Sequence, residues 1–296
     1  METFAMEKDI FSDVRAGKLD RVQEFVKTYK PSKNFYEDVL MMSVECGHLH
    51  LVKYFISLGA DLRTHDDHAL MWAASYGHMD IVKYLVGEGS NFRNRNDTAL
   101  LWSAENGHLD LVKYFLSLGC DPVSKDGYAL ETSIQNYHMD VIKFLTENTD
   151  CVKWVENDRV LHWIDNRNNN VEMLKYFVSV GCDLRTYEEK LLYFSVRHNC
   201  FDVVKFLIAF GCNFRNKYCD FESPLNLALR LGHIRMFSLF LSIMPKKEKF
   251  TYAKNSTKLF NAVLGFGFLV KKVLHKNIFL KKILRPPSQC VQLMFV

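Results

Sequence analysis

Apolar and polar positions along this chain recur in paired bursts. In residues 80–86 the apolar side chains are Ile81, Val82, Leu85 and Val86, at i, i+1, i+4 and i+5, while Asp80, Lys83 and Tyr84 share the other side. That spacing describes one face of an α-helix. In the burst before it the stripe is Leu70, Ala73 and Ala74, small enough for two helices to approach closely. Between the bursts stands Gly77-His78, and 30 residues later the arrangement returns around Gly107-His108. Gly59, Gly89 and Gly119 close the second helix where a left-handed residue is favoured, and Asp61, Asn91 and Asp121 then open the turn.

The same pattern extends over nearly the whole chain. Taking the Gly of Gly-His as an anchor gives nine copies, at Gly17, Gly47, Gly77, Gly107, Tyr137, Asn169, Asn199, Gly232 and Gly265, with intervals of 30, 30, 30, 30, 32, 30, 33 and 33. A lysine follows six residues later in every copy except the first (Gln23) and the eighth (Ser238). So many columns in register mark an internal repeat of helix-turn-helix units. The first copy carries Asp13, Arg15, Lys18, Asp20, Arg21 and Glu24 on what should be an outer, capping face. Copies five and six depart most: Tyr137 replaces the anchor glycine and Glu147 to Asp150 lacks the closing one. The least regular stacking, and a candidate bend, is therefore expected between Glu147 and Asn170.

Ser223-Pro224-Leu225-Asn226-Leu227-Ala228 is close to the Thr-Pro-Leu-His-x-Ala of ankyrin repeats, and Gly107-His108-Leu109-Asp110-Leu111-Val112-Lys113-Tyr114 resembles their second helix. The 30-residue spacing, the Ala-Leu-x-Trp-Ala helix start and the Val-Lys-Tyr column look most like the short-period ankyrin proteins of giant DNA viruses such as mimivirus. This resemblance implies an all-α ankyrin-repeat solenoid of stacked helix-turn-helix units with short finger loops. Residues 1–277 would be the array, its first and last copies degenerate caps, and 278–296 a basic, irregular tail. It implies a binding surface and no shared chemistry.

Composition narrows the classes further. With 48% hydrophobic and 14% aromatic residues, the 296-residue chain can bury a continuous core. The start from Met1 to Asp13 is acidic-polar, so no signal peptide is expected. The longest apolar run, Leu259 to Val270, is far below the ~20 residues of a membrane span. A soluble intracellular protein is expected, in the host cytoplasm if it is viral. Charge is divided: residues 245–296 hold 11 Lys and Arg and one Glu, net +10, and the remainder is net −6. Cys120, Cys182 and Cys212 occupy one repeat position, filled elsewhere by Ala60 and Ser90, which reads as a small buried site. No Cys-x-x-Cys pair suggests zinc or redox chemistry, although Cys212 and Cys219 flank one loop.

Four sets of residues could carry function. His48, His78, His108, His138 and His233 form a column, but neighbouring copies lie ~10 Å apart and metal ligands must reach ~2 Å from one centre; a histidine bonded between copies is expected instead. In a second column, Trp72 and Trp102 pack between copies or line the inner groove. The turns form a row: Arg63, His65, Arg93, Arg95, Lys125, Arg185, Tyr187, Arg215 and Lys217. Because both signs of charge alternate there, a protein partner is expected, and not a nucleic-acid backbone. No Gly-x-Ser-x-Gly, His-Glu-x-x-His or P-loop occurs, so no enzyme, no cofactor and no small-molecule substrate are expected. The expected function is a monomeric, non-catalytic protein-interaction scaffold, its partner a host protein if the chain is viral, bound through the row and the inner helices. The alternatives are a substrate adaptor for a ubiquitin ligase, or a basic tail that binds an anionic membrane or nucleic acid.

Overall fold

The computed structural model describes residues 10–156, 159–164, 171–217, 222–245 and 248, with the backbone alone at 64–66, 186, 188 and 189. The ninth copy around Gly265, the tail of 278–296 and Cys219 lie outside the described residues. The described residues contain helices and no strands. They divide into two compact units, residues 1–163 and 164–296. The division falls inside the stretch where the anchor and closing glycines are missing.

The first unit holds five helix pairs and the start of a sixth. Residues 10–15 (α1) pair with Leu19–Tyr29 (α2), Lys33–Glu45 (α3) with Leu49–Ser57 (α4), and Thr64–Ser75 (α5) with Met79–Gly87 (α6). Asn94–Glu105 (α7) then pairs with Leu109–Ser117 (α8), and Ser124–Gln135 (α9) with Met139–Asn148 (α10). The first helix of copy six is broken into Val152–Glu156 (α11) and Val160–Trp163 (α12). In the second unit come Val171–Ser179 (α13), a 3-10 turn Leu184–Tyr187 (η1), Glu188–Arg197 (α14), Phe201–Phe210 (α15), Pro224–Arg230 (α16) and Ile234–Ile243 (α17). Ser223 caps α16 by accepting from the Asn226 N–H, and Pro224 fills its first turn.

Each first helix packs on the next: α3 on α5, α5 on α7 and α7 on α9. A column of small residues permits the approach. Ser43, Ser103 and Ser133 are fully buried, and each hydroxyl donates to the carbonyl four residues earlier, at 2.6–2.7 Å. The second-helix stripe is buried as its spacing requires, at Ile81, Val82 and Leu85 in α6 and at Leu111, Val112 and Phe115 in α8. Ala60, Ser90, Cys120, Cys182 and Cys212 are all buried at their shared position. Burial pushes the Cys120 thiol up to about 12, helped by the Asp97 carboxylate beside it.

Two contacts between copies fall at columns whose spacing was visible and whose partners were not. In copies two to five the histidine lies over the anchor glycine of the copy before, and its Nε2 bonds a carbonyl two residues earlier. His48 reaches Arg15 O (2.8 Å), His78 Glu45 O (3.0 Å), His108 Ser75 O (2.8 Å) and His138 Glu105 O (2.8 Å). At Gly77, φ is 81° and a Cβ would sit 2.6 Å from the His108 ring, so glycine is required both by backbone and by space. The second contact is a ladder of lysines over aromatic rings: Lys53 Nζ over Tyr84 (5.2 Å), Lys83 over Tyr114 (5.9 Å) and Lys113 over Phe144 (5.4 Å). A cation over a ring contributes ~0.5–1 kcal/mol at exposed sites, so the lysine column is more than a solvated face.

The glycine and the histidine change together along the chain. Tyr137 and Asn169 replace anchor glycines, and the copies that follow them carry Asn170 and Cys200 where the histidine stood. At Asn199 only the glycine is lost. His233 remains in the next copy with its Nε2 buried and short of good hydrogen-bond geometry; burial lowers its pKa, and the Arg197 backbone opposes the shift.

One charge assigned to the outer face of the first copy is in fact turned in. Asp13 is buried, with Lys18 Nζ 3.0 Å and Arg21 Nη1 3.6 Å from its oxygens, and the Lys18 bond holds its carboxyl below the usual range.

Two outcomes follow from these contacts. Gly77→Ala should destabilise by at least ~1 kcal/mol from the backbone alone, with the clash against His108 added. In a denaturation cycle, His108→Ala should recover part of that loss, so the double variant is more stable than the sum of the singles; strict additivity would mean the ring does not rest on Gly77. For His233, the lowered folded pKa means the unfolded chain takes up the proton first as pH falls. Stability from this residue is complete above the unfolded value, ~6.5, and is lost as pH drops through the folded one. His233→Asn should flatten that part of a stability profile measured between pH 7.5 and 5.

Candidate partner-binding surface

The turns that join the copies share one local design. An Asp or Asn side chain accepts the N–H two residues on: Arg63 N to Asp61 (2.9 Å), Arg93 N to Asn91 (3.1 Å), Val123 N to Asp121 (2.9 Å), Arg185 N to Asp183 (3.0 Å) and Arg215 N to Asn213 (3.0 Å). These Asx turns set where each finger residue begins. In α7 and α9 the first turn is left-handed. Arg95, Asn96 and Asp97 have φ of 50, 59 and 61°, and Lys125, Asp126 and Gly127 have 49, 61 and 85°. Each non-glycine residue in that conformation costs ~1–2 kcal/mol, which the contacts of Asp97 help to offset. Its carboxylate is buried, takes Arg93 Nε at 3.2 Å and accepts the Asp121 N–H at 3.1 Å.

That geometry ties most of the arginine row into its own unit. Besides Arg93, Arg63 Nη2 donates to Gly89 O of the next copy at 3.1 Å. Arg185 forks onto Asp183 at 2.8–3.2 Å, and Arg215 pairs with Glu248 at 2.7 Å while stacking on Phe214. Arg95, Lys125 and Lys217 are exposed, and Tyr187 is half-buried at the end of η1. The side chain of His65 lies outside the described residues. Arg63, Arg93, Arg95 and Lys125 belong to the first unit, and Arg185, Tyr187, Arg215 and Lys217 to the second.

Trp72 and Trp102 are placed differently. Both are half-buried, and they face one open cleft of about 390 Å³ with Ser75, Tyr76, Glu105 and Asn106. On the other side of Trp72 a second cleft, about 490 Å³, runs between copies two and three, with Met41 and Leu62 in its lining and Glu37, Asp38 and Asp61 among its carboxylates. Both residues line a cleft while half of each side chain is packed against its surroundings. Elsewhere the column varies: Thr132 and Leu227 are buried, Met42, Trp163 and Phe194 half-buried and Ser12 exposed. The cleft floor is fixed by hydrogen bonds. Asn106 Nδ2 donates to Ser75 Oγ (3.2 Å) and Trp102 O (2.9 Å), and the exposed Tyr76 hydroxyl donates to Glu45 (3.3 Å). Glu105 O is held by both His138 and Asn136.

Sequence reasoning passed over Ser75, Tyr76, Glu105 and Asn106, although the signal was present. They stand three and four residues after Trp72 and Trp102, the spacing that puts side chains on one helical face.

The family model of ankyrin repeats in three copies matches residues 13–96, 40–126, 70–157 and 160–252. The chain belongs to the ankyrin-repeat family. Its fold is accordingly an all-α stack of repeats, and ankyrin repeats generally mediate protein–protein interaction and are typically non-catalytic. Among proteins of curated function, none is similar enough to count as a relative. No helix among the described residues of this ankyrin protein is long and apolar enough to cross a membrane.

Because Arg93 neutralises a buried carboxylate, charge reversal there tests fold and surface separately. Arg93→Glu should lower stability by ~1–3 kcal/mol, the range for losing a hydrogen bond to a charged group. Lys125→Glu should change it by less than about 0.5 kcal/mol. Urea denaturation of both variants measures the difference.

Proposed function

We propose that this ankyrin protein is a non-catalytic scaffold that holds a partner protein against the first helices of copies three and four, centred on the cleft between Trp72 and Trp102. The observation that carries this reading is that two large indoles stay half-exposed on either side of an open cleft, in an array whose first helices otherwise meet through buried small residues. Half-exposed tryptophan in a preformed cleft is what binding hot spots are made of. The cleft floor is tied by hydrogen bonds within and between copies, so little ordering is needed on binding. The finger residues then serve as rim: Arg95 and Lys125 are exposed at the turns of copies four and five, where they tune encounter more than affinity. On this reading the protein works as a monomer inside a cell. If its short period does place it with the giant-virus proteins, the partner is a host protein.

Capture experiments with Trp72→Ala and Trp102→Ala chains test the proposal. Expected is loss of the proteins retained by the unaltered chain, with melting temperatures within about 2 °C of it, under ~1 kcal/mol for a chain this long. A fall of many degrees with partners retained would make both residues packing elements. Retention lost only on reversing Arg95 and Lys125 would move the surface to the fingers.

A further inference from the structure

The first helices of copies two to five have an uneven charge distribution. Past their opening turns, α3 from Asn34 onward, α5, α7 after Arg95 and α9 after Lys125 contain no lysine or arginine. They do contain Glu37, Asp38, Glu45, Glu105 and Glu131. The lysine column sits on the second helices. The two clefts that meet at Trp72 therefore have carboxylates and indole walls and no lysine or arginine in their lining, His68 of the second cleft being the one protonatable ring.

We propose that these clefts each take a cationic side chain, lysine or arginine, from one extended basic segment of the partner protein. The inference rests on the groove reading above and names the chemistry of its occupant. In the cleft between copies three and four, Trp72, Tyr76 and Trp102 offer π-faces and Glu105 a carboxylate. A cation between rings is attracted by their quadrupoles, and more strongly as it is desolvated. The rings are already partly ordered, Trp72 and Tyr76 lying 5.8 Å apart and Tyr76 stacked on His78 at 6.2 Å. In the cleft between copies two and three, Asp38 is exposed, and Glu37 is contacted only loosely by Lys33 at 4.0 Å. Asp61 gives one oxygen to its own turn. The apolar stem of a lysine or arginine would lie along Met41, Leu62 and Trp72 while its head meets the carboxylates. Neighbouring copies are ~10 Å apart and an extended chain rises ~3.3 Å per residue. Cations about three residues apart thus reach both clefts. An acidic segment or a phosphate backbone would meet like charge in both.

Fluorescence anisotropy with the full chain tests this, using three labelled 12-residue Gly/Ser peptides that carry interspersed Lys and Arg, Glu, or no charge. The basic peptide should bind, more weakly as salt rises, and the other two should not. Trp72→Ala should weaken it about tenfold, the equivalent of ~1.4 kcal/mol and within the range of a desolvated cation–π contact. Glu105→Gln and Asp38→Asn should each weaken it roughly threefold, the scale of a partly screened ion pair. Glu24→Gln, on α2 away from both clefts, should not move it. Melting temperatures of the Glu105 and Asp38 variants should stay unchanged, which separates the effect from misfolding. Equal affinity of the Trp72→Ala chain, or binding of the Glu peptide as tight as the basic one, overturns the proposal. If Trp72→Ala loses captured proteins while the basic peptide never binds, the groove stands and its cationic occupant does not. If Trp72→Ala changes neither, both readings fall.

Discussion

The stack depends on a glycine that leaves room for its neighbour's histidine. At Gly17, Gly47, Gly77 and Gly107 the backbone holds a positive φ, and the space a side chain would fill belongs to the imidazole of the following copy. From there the imidazole reaches back to a carbonyl at the end of the preceding first helix. A helix end leaves its last carbonyls without partners, and here the next copy supplies one. The same bond fixes the spacing and rotation of two units at once. Losing the glycine at Tyr137 and Asn169 goes with losing the histidine one copy later, and keeping His233 after Asn199 leaves its buried nitrogen without a well-formed hydrogen bond.

The turns follow the same logic at the other end of each copy. A buried carboxylate at Asp97 accepts from the Arg93 side chain and from the Asp121 backbone, joining two successive turns. In copy three its counterpart Asp67 is also buried, with one oxygen lacking a hydrogen bond, while Arg63 reaches instead to Gly89 O. In copy five the position is Gly127, and the Trp154 indole fills the vacated space. Each version solves the same packing problem with different chemistry, and in copies three and four it draws Arg63 and Arg93 into structural service. The surface proposed for a partner is the face that the stacking does not use. In copies three and four that face is aromatic and acidic, rigid at its floor and open above.

How much of this was legible beforehand varied by element. The repeat, its helix pairs and their buried stripes were all present in the spacing of residues such as Ile81, Val82 and Leu85, because helical periodicity and burial are local properties. The closing glycines and the Asx residues Asp61, Asn91 and Asp121 were equally readable, since a turn is decided by its own few residues. The arginine row was visible as a column, yet its engagement was not. Whether Arg93 points to solvent or to Asp97 depends on a left-handed turn at Arg95 to Asp97, a conformation that Asn and Asp adopt singly but that local preference does not extend to three residues in a row.

What the sequence by itself determined is thus the unit: its length, its two helices, the faces they bury and the family they belong to. Only the tertiary structure decided what each column touches, since those partners lie about one repeat away and the stacking alone brings them together. His108 meets Ser75 O 33 residues back, Lys83 lies over Tyr114, and Trp72 and Trp102 share a cleft with Glu105. A periodic sequence specifies which residues are equivalent, but distances between copies arise from packing. The surface proposed for a partner, made wholly of such distances, could be read only there.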